Sequence, residues 1–121
     1  IARPVDTTVS GEQGMFVRRT LRSGFSLTYP GHITLVGDVN PGAEIIAGGS
    51  VVVWGRLRGV VHAGAEGDES AVVCALVLAP TQLRIASTIA TTPHQGGRPQ
   101  PEIASLREGQ VVAEPWNLKP R

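Results

Sequence analysis

Residues 33–47, ITLVGDVNPGAEIIA, and residues 51–65, VVVWGRLRGVVHAGA, decide the fold, because the second stretch repeats the first after a step of 18. Ile33 falls on Val51, Leu35 on Val53, Gly37 on Gly55, Val39 on Leu57, Ala43 on Val61, Ile45 on Ala63 and Ala47 on Ala65. Apolar meets apolar and glycine meets glycine. Within each stretch the apolar positions are two apart, as a strand with one buried face requires. Breaks fall at Gly37-Asp38, Gly42, Gly48-Gly49, Gly55 and Gly59, so each period holds about three short strands. A chain that turns this often and returns after 18 residues describes a triangular coil, whose strands stack in parallel on those of the next coil.

The same signals extend outward. Short runs rich in Val, Ile and Leu recur at 15–21, 26–29, 72–78, 83–86 and 111–114, while Gly (15 residues) and Pro (9) interrupt almost every window long enough for a helix. The expected fold is all-β, a right-handed parallel β-helix in the form of a short three-sided solenoid of about five coils. An antiparallel sandwich would turn every 8 to 12 residues or so. The inward residues are small or branched, and only two Phe, two Trp and one Tyr are present, which suits a narrow interior. Residues 1–14 read as an interdomain linker, 15–116 as the β-helix domain and 117–121 as a tail. The segment 91–101, dense in Pro, Gly and Gln, reads as a mobile loop. Beyond it a strand, the turn Glu108-Gly109-Gln110 and a second strand are expected to close one end.

With 121 residues, 17% charged residues and a net charge of +1, the chain supports one core and no broad field for nucleic acid or an anionic membrane. The single cysteine, Cys74, lies in an apolar run with no second thiol to pair with; it reads as a buried core residue and fits a cytoplasmic protein. No apolar stretch is long enough to span a bilayer.

Chemistry is sparse. His32, His62 and His94 lack metal-site spacing, and His62 superposes on Glu44 as an outward strand residue. No G-x-S-x-G elbow surrounds Ser23 or Ser50. Gly55-Arg56-Leu57-Arg58-Gly59 lacks the ending of a phosphate cradle, and Asp38 and Glu44 read as solvated positions rather than an acid/base pair. No cofactor, metal or catalytic residue is assigned. Trp54 and Trp116 are candidates to anchor a partner or cover an end. Val36, Ile46, Val52 and Val60 occupy outward positions, and apolar rows on an outer wall fit a symmetric homodimer.

Residues 37–49, GDVNPGAEIIAGG, and their continuation through residue 65 resemble the C-terminal domain of the septum-site-determining protein MinC. The likeness extends through Pro80-Thr81-Gln82-Leu83-Arg84-Ile85-Ala86 and resumes at 101–104 and 112–116. It implies a dimeric β-helix that docks onto ATP-bound MinD, is carried by it to the inner face of the cell membrane, contacts the tail of FtsZ and restrains Z-ring assembly away from midcell. The family's Arg-Ser-Gly-Gln contact motif is matched by Arg22, Ser23 and Gly24, with Phe25 in place of glutamine. Gly42 matches a further contact position, although a turn glycine is an equal reading of it. Arg58 is a weaker match, with Val60 standing where many members carry a basic residue. Two other classes remain: a polymer-forming scaffold of the bactofilin type, which needs more coils, and a β-helical enzyme, which needs clustered titratable groups on one coil corner.

Overall fold

A computed structural model of the chain describes residues 10–90 and 99–116. It contains eleven strands: β1 Gly14–Arg18, β2 Ser26–Tyr29, β3 His32–Val36, β4 Glu44–Ala47, β5 Val51–Leu57, β6 Val60–Ala63, β7 Val73–Leu78, β8 Gln82–Ile85, β9 Thr88–Ile89, β10 Glu102–Arg107 and β11 Gln110–Pro115. Odd strands β1-β3-β5-β7 stack as one wall, sheet A, and even strands β2-β4-β6-β8 as a second, sheet B. Every pairing within these two stacks is parallel. The third side is reduced to a column of single bridges, Leu21 to Val39 to Leu57. The result is a parallel β-solenoid of four coils, one fewer than the sequence led us to expect, and the expected hairpin follows the last of them.

The register follows from the alternation. Inward residues Ile33, Leu35, Val39, Ala43, Ile45, Ala47, Val51, Val53, Leu57, Val61 and Ala63 are fully buried, and they form one apolar column with nothing polar in it among the described residues. Ala65, expected to point inward, is only half-buried. The step of 18 holds from β1 to β3, β2 to β4 and β3 to β5. It fails afterwards, in both directions. Glu44 pairs with Val60 and Ile45 with Val61, a step of 16, because the corner Arg58-Gly59 is two residues shorter than the corner above it. His62 therefore stacks on Ile46, not on Glu44. Val51 pairs with Val73 and Val61 with Leu83, a step of 22, because residues 64–71 make a longer turn.

Coil corners are stitched by side chains. His32 Nδ1 accepts the Ser50 amide at 2.8 Å, and Ser50 Oγ accepts the Val72 amide at 3.0 Å. In the longer turn the Asp68 carboxylate accepts from both the Ser70 hydroxyl and the Ser70 amide, and these bonds hold its pKa below the usual carboxylate range.

Antiparallel pairing closes the far end. The β10–β11 hairpin lies against β7 and continues sheet A, with Ala104 buried and Leu106 and Val111 packed on the core. Its turn, Glu108-Gly109, has positive φ at both residues, the geometry that joins two antiparallel strands most tightly. On sheet B, β9 folds back on β8 through Ala86-Ser87. This two-residue strand carries no periodic signal, and the sequence reading did not anticipate it. The segment 91–98 and the tail 117–121 lie outside the described residues, as does most of the expected linker.

Candidate docking surfaces

The Arg22, Ser23, Gly24, Phe25, Gly42 and Arg58 set lies on one corner of three successive coils. Arg22 to Phe25 form a tight turn in which the Phe25 amide donates to the Arg22 carbonyl at 3.0 Å, with Gly24 at φ 90. One coil on, Asn40-Pro41-Gly42-Ala43 repeat it: the Ala43 amide donates to the Asn40 carbonyl at 3.0 Å, with Gly42 at φ 91. Both match the type II pattern, which needs glycine at its third position and favours proline at its second. The turns stack, with the Gly24 amide donating to the Gly42 carbonyl at 2.9 Å. A β-carbon on Gly42 would collide with Ser23 Oγ. Gly42 is thus required by backbone conformation and by the seat it gives Ser23, which a one-residue reading could not separate.

In the third coil the shortened corner brings Arg58 beneath Asn40, whose Oδ1 accepts Arg58 Nη2 at 2.7 Å. Arg58 Nε is buried without a partner. Arg22, Ser23, Gly24, Phe25 and Gly42 are exposed, and Arg58 is half-buried. Beside them, Arg19 lies 5.7 Å over the Phe25 ring. Asp38, whose carbonyl accepts the Leu21 amide, is already engaged: its Oδ1 accepts the Arg56 amide at 2.8 Å and its Oδ2 pairs with Arg56 Nη2 at 3.0 Å. Those contacts, the amide bond foremost, lower the Asp38 pKa. Arg22 has no ion-pair partner among the described residues, so the corner presents unneutralised guanidinium groups suited to a carboxylate-bearing protein surface.

The four apolar wall candidates do not share a face. Val36 and Val52 lie on sheet A, Ile46 and Val60 on sheet B. Alternation separates outward from inward but does not say which wall an outward residue joins. On sheet A, Val36 pairs with Trp54 and Val52 with Cys74, and Cys74 pairs onward with Ile103. Cys74 is therefore an outward, half-buried wall residue rather than a core one, and burial raises its thiol pKa. Val52, Trp54, Cys74, Leu76, Pro101 and Trp116 line an apolar notch, with Trp54 and Trp116 63% and 57% exposed. Both tryptophans were candidates in the sequence, to anchor a partner or cover an end, and both lie exposed at this notch; Leu76 was missed, although it shares the parity of Cys74. Sheet B is mixed: a shallow groove there is lined by Glu44, Ile46, Val60, His62, Gln82 and Arg84. Among the described residues no three His, Cys, Asp or Glu side chains could hold a metal ion, and no helix is long and apolar enough to cross a membrane.

Apolar wall, basic corner and parallel coils together define a β-solenoid interaction module. The family model described as "Septum formation inhibitor MinC, C-terminal domain" matches residues 15–116, and the chain belongs to that family. The chain is 51% identical over 108 residues to a probable septum site-determining protein MinC of Heliobacterium modesticaldum, covering 88% of this chain and 37% of that protein. It is 49% identical over 102 residues to the counterpart in Clostridium novyi, covering 84% and 49%. The chain thus spans half or less of the length of these relatives. Among solved structures, the MinC:MinD cell division protein complex of Aquifex aeolicus holds a chain 40% identical to this one, with a TM-score of 0.80 and coverage of 86% of this chain and 87% of that one.

Proposed function

We propose that this chain is the docking part of a division-site inhibitor. It dimerises through the outer wall of sheet A and binds ATP-loaded MinD through the corner built by Arg22, Ser23, Gly24, Phe25, Gly42 and Arg58. MinD carries it to the inner face of the cell membrane, where it contacts the FtsZ tail and Z-ring assembly is blocked away from midcell. The observation that carries this reading is the convergence of those six residues, spread over 37 positions of sequence, on one exposed basic corner. The likeness to the MinC chain of a MinC:MinD complex supports the choice of partner.

The chemistry is that of a preformed surface. Two stacked type II turns fix the backbone, so little conformational entropy is lost on binding. Arg22 offers a forked donor, Ser23 a hydroxyl, and Gly24 close backbone approach. Phe25, where the family motif has glutamine, replaces an amide contact by an apolar one.

The test is co-sedimentation with MinD, ATP and phospholipid vesicles. Arg22→Asp is expected to weaken binding by at least about tenfold while the dimer persists, since a charge reversal at an exposed contact repels the partner and leaves the fold alone. Unchanged co-sedimentation would remove the corner as the docking site. The FtsZ contact is checked separately, by titrating the chain with an FtsZ tail peptide without MinD.

A further inference from the structure

We propose that the free edge of β1 binds an extended peptide with alternating acidic and apolar residues, adding it to sheet A as a further strand. Three observations meet at this edge.

The first is an open ladder. Among the described residues β1 stands at the end of sheet A and pairs with β3 alone. The His32 amide donates to the Gln13 carbonyl and the Arg19 amide to the Val36 carbonyl, so residues 13, 15, 17 and 19 turn their backbone groups toward β3. By the alternation of a parallel ladder, the N–H and C=O groups of Phe16 and Arg18 face away from it. The opposite edge of the same sheet, β11, carries Pro115 and an Arg107–Glu114 ion pair, two devices that discourage further pairing. β1 has neither.

The second is an uncovered core. Val17, Leu27 and Tyr29 pack on the core but remain half-exposed, whereas Leu35, Ile45 and Ala47, one coil further in, are completely buried. A strand laid along β1 would place alternate side chains over Met15 and Val17, so those side chains should be apolar.

The third is charge. Arg18, Arg19 and Arg22 are exposed and have no carboxylate partner among the described residues, while Arg56 and Arg107 are each paired with an acid. At the other end of the strand Glu12 faces His32, 3.1 Å away. The residues of an added strand that face outward, beside Phe16 and Arg18, should therefore be acidic and concentrated toward the arginine end. Strand addition supplies affinity through main-chain bonds and specificity through the alternate side chains.

The probe is a fluorescein-labelled octapeptide of alternating Val and Glu, titrated into the full chain. Saturable binding is expected, weakened at least about tenfold by Arg18→Glu and reduced as strongly by methylating alternate peptide amides. Phe16→Pro gives an independent arm: it removes a free-edge donor while leaving the β3 bonds intact, and should also weaken binding by about tenfold if the variant melts like the parent. Equal binding of the N-methylated peptide would overturn the proposal, since charge alone would then suffice. Binding to phosphatidylglycerol vesicles in place of the peptide would overturn it too, reassigning the arginines to a lipid surface. Arg22 is unaltered in every variant, and MinD co-sedimentation is measured in parallel, so this edge and the MinD corner stand or fall separately.

Discussion

The two walls of the solenoid are built by the same alternation and turned to different ends. Outward positions of sheet A carry Phe16, Val36, Val52, Trp54, Cys74 and Leu76, with Arg18, His32 and Thr34 as the polar minority in the first two strands. Outward positions of sheet B carry Ser26, Thr28, Glu44, His62, Gln82 and Arg84 beside the apolar Ile46 and Val60, and some of the polar ones are tied to their own molecule: Ser26 Oγ donates to Glu44 Oε1 at 3.0 Å, and His62 Nε2 donates to the Ala86 carbonyl at 2.8 Å. A wall on which Ile46 and Val60 lie among charged and polar side chains, Ser26, Glu44 and His62 of them already bonded within the molecule, has less apolar area to offer a second copy. An apolar wall with two exposed tryptophans has much to gain from one, because hydrophobic area and aromatic anchors dominate association energies. The fold thus supplies two outer walls, and the outward residues make that of sheet A the better candidate for the proposed dimer contact.

The strongest way to break this contrast is Trp54→Ala. On the proposed dimer wall, loss of this exposed aromatic side chain should raise the dimer dissociation constant by roughly 30-fold or more, equivalent to about 2 kcal/mol. Ile46→Ala on sheet B should change it by less than about twofold. Analytical ultracentrifugation over a concentration series reads both. Equal effects from the two substitutions would mean that the walls are not distinguished as described.

A smaller effect is expected for the internal tie on sheet B. Ala86 adopts φ 53, which a non-glycine residue seldom does, and its carbonyl receives the His62 proton. His62→Ala leaves that carbonyl without its donor and should lower unfolding stability by about 1 to 2 kcal/mol, with the dimer constant unaffected. Chemical denaturation checks it; a variant as stable as the parent would show that the bond is replaced by water at no cost.

Much of this architecture could be read before any coordinates. Inward residues from Ile33 to Ala63 announced themselves by parity, and the stacking of 51–57 on 33–39 by its step of 18, because parallel stacking demands that equivalent turns recur at fixed distance. The step failed where a corner changed length, at Arg58-Gly59 and again at residues 64–71, since a two-residue deletion or a loop insertion leaves the strands looking unchanged while moving their partners. Cys74 misled because an apolar residue on an apolar outer wall is indistinguishable by composition from a core residue. The corner residues were reached through family resemblance; their proximity was hidden until the register placed Gly42 over Ser23 and Arg58 under Asn40. β9, only two residues long, had no pattern to show.

The smallest expected effect concerns the tie between coils beside the docking corner. Asp38 accepts the Arg56 amide and pairs with its guanidinium, and its pKa is lowered as a result. A carboxylate with a lowered folded pKa contributes stability that is fully present above its ordinary value, near pH 4, and that disappears as the pH falls through the lowered one. Asp38→Asn keeps an acceptor for the amide and removes the charge, so the variant should be less stable than the parent at pH 6 to 7 by less than about 1 kcal/mol, the solvent around Arg56 screening the pair. The difference should close as both are acidified through the lowered pKa of Asp38, where the parent's carboxylate becomes protonated. Sheet B carries no equivalent tie between an acid and an arginine among the described residues, so Glu44→Gln, which alters only a hydroxyl contact, should show no such convergence. If the Asp38 difference persists unchanged into acid, the corner is held by packing and hydrogen bonding alone, and charge on Asp38 plays no part in presenting Arg22 and Arg58.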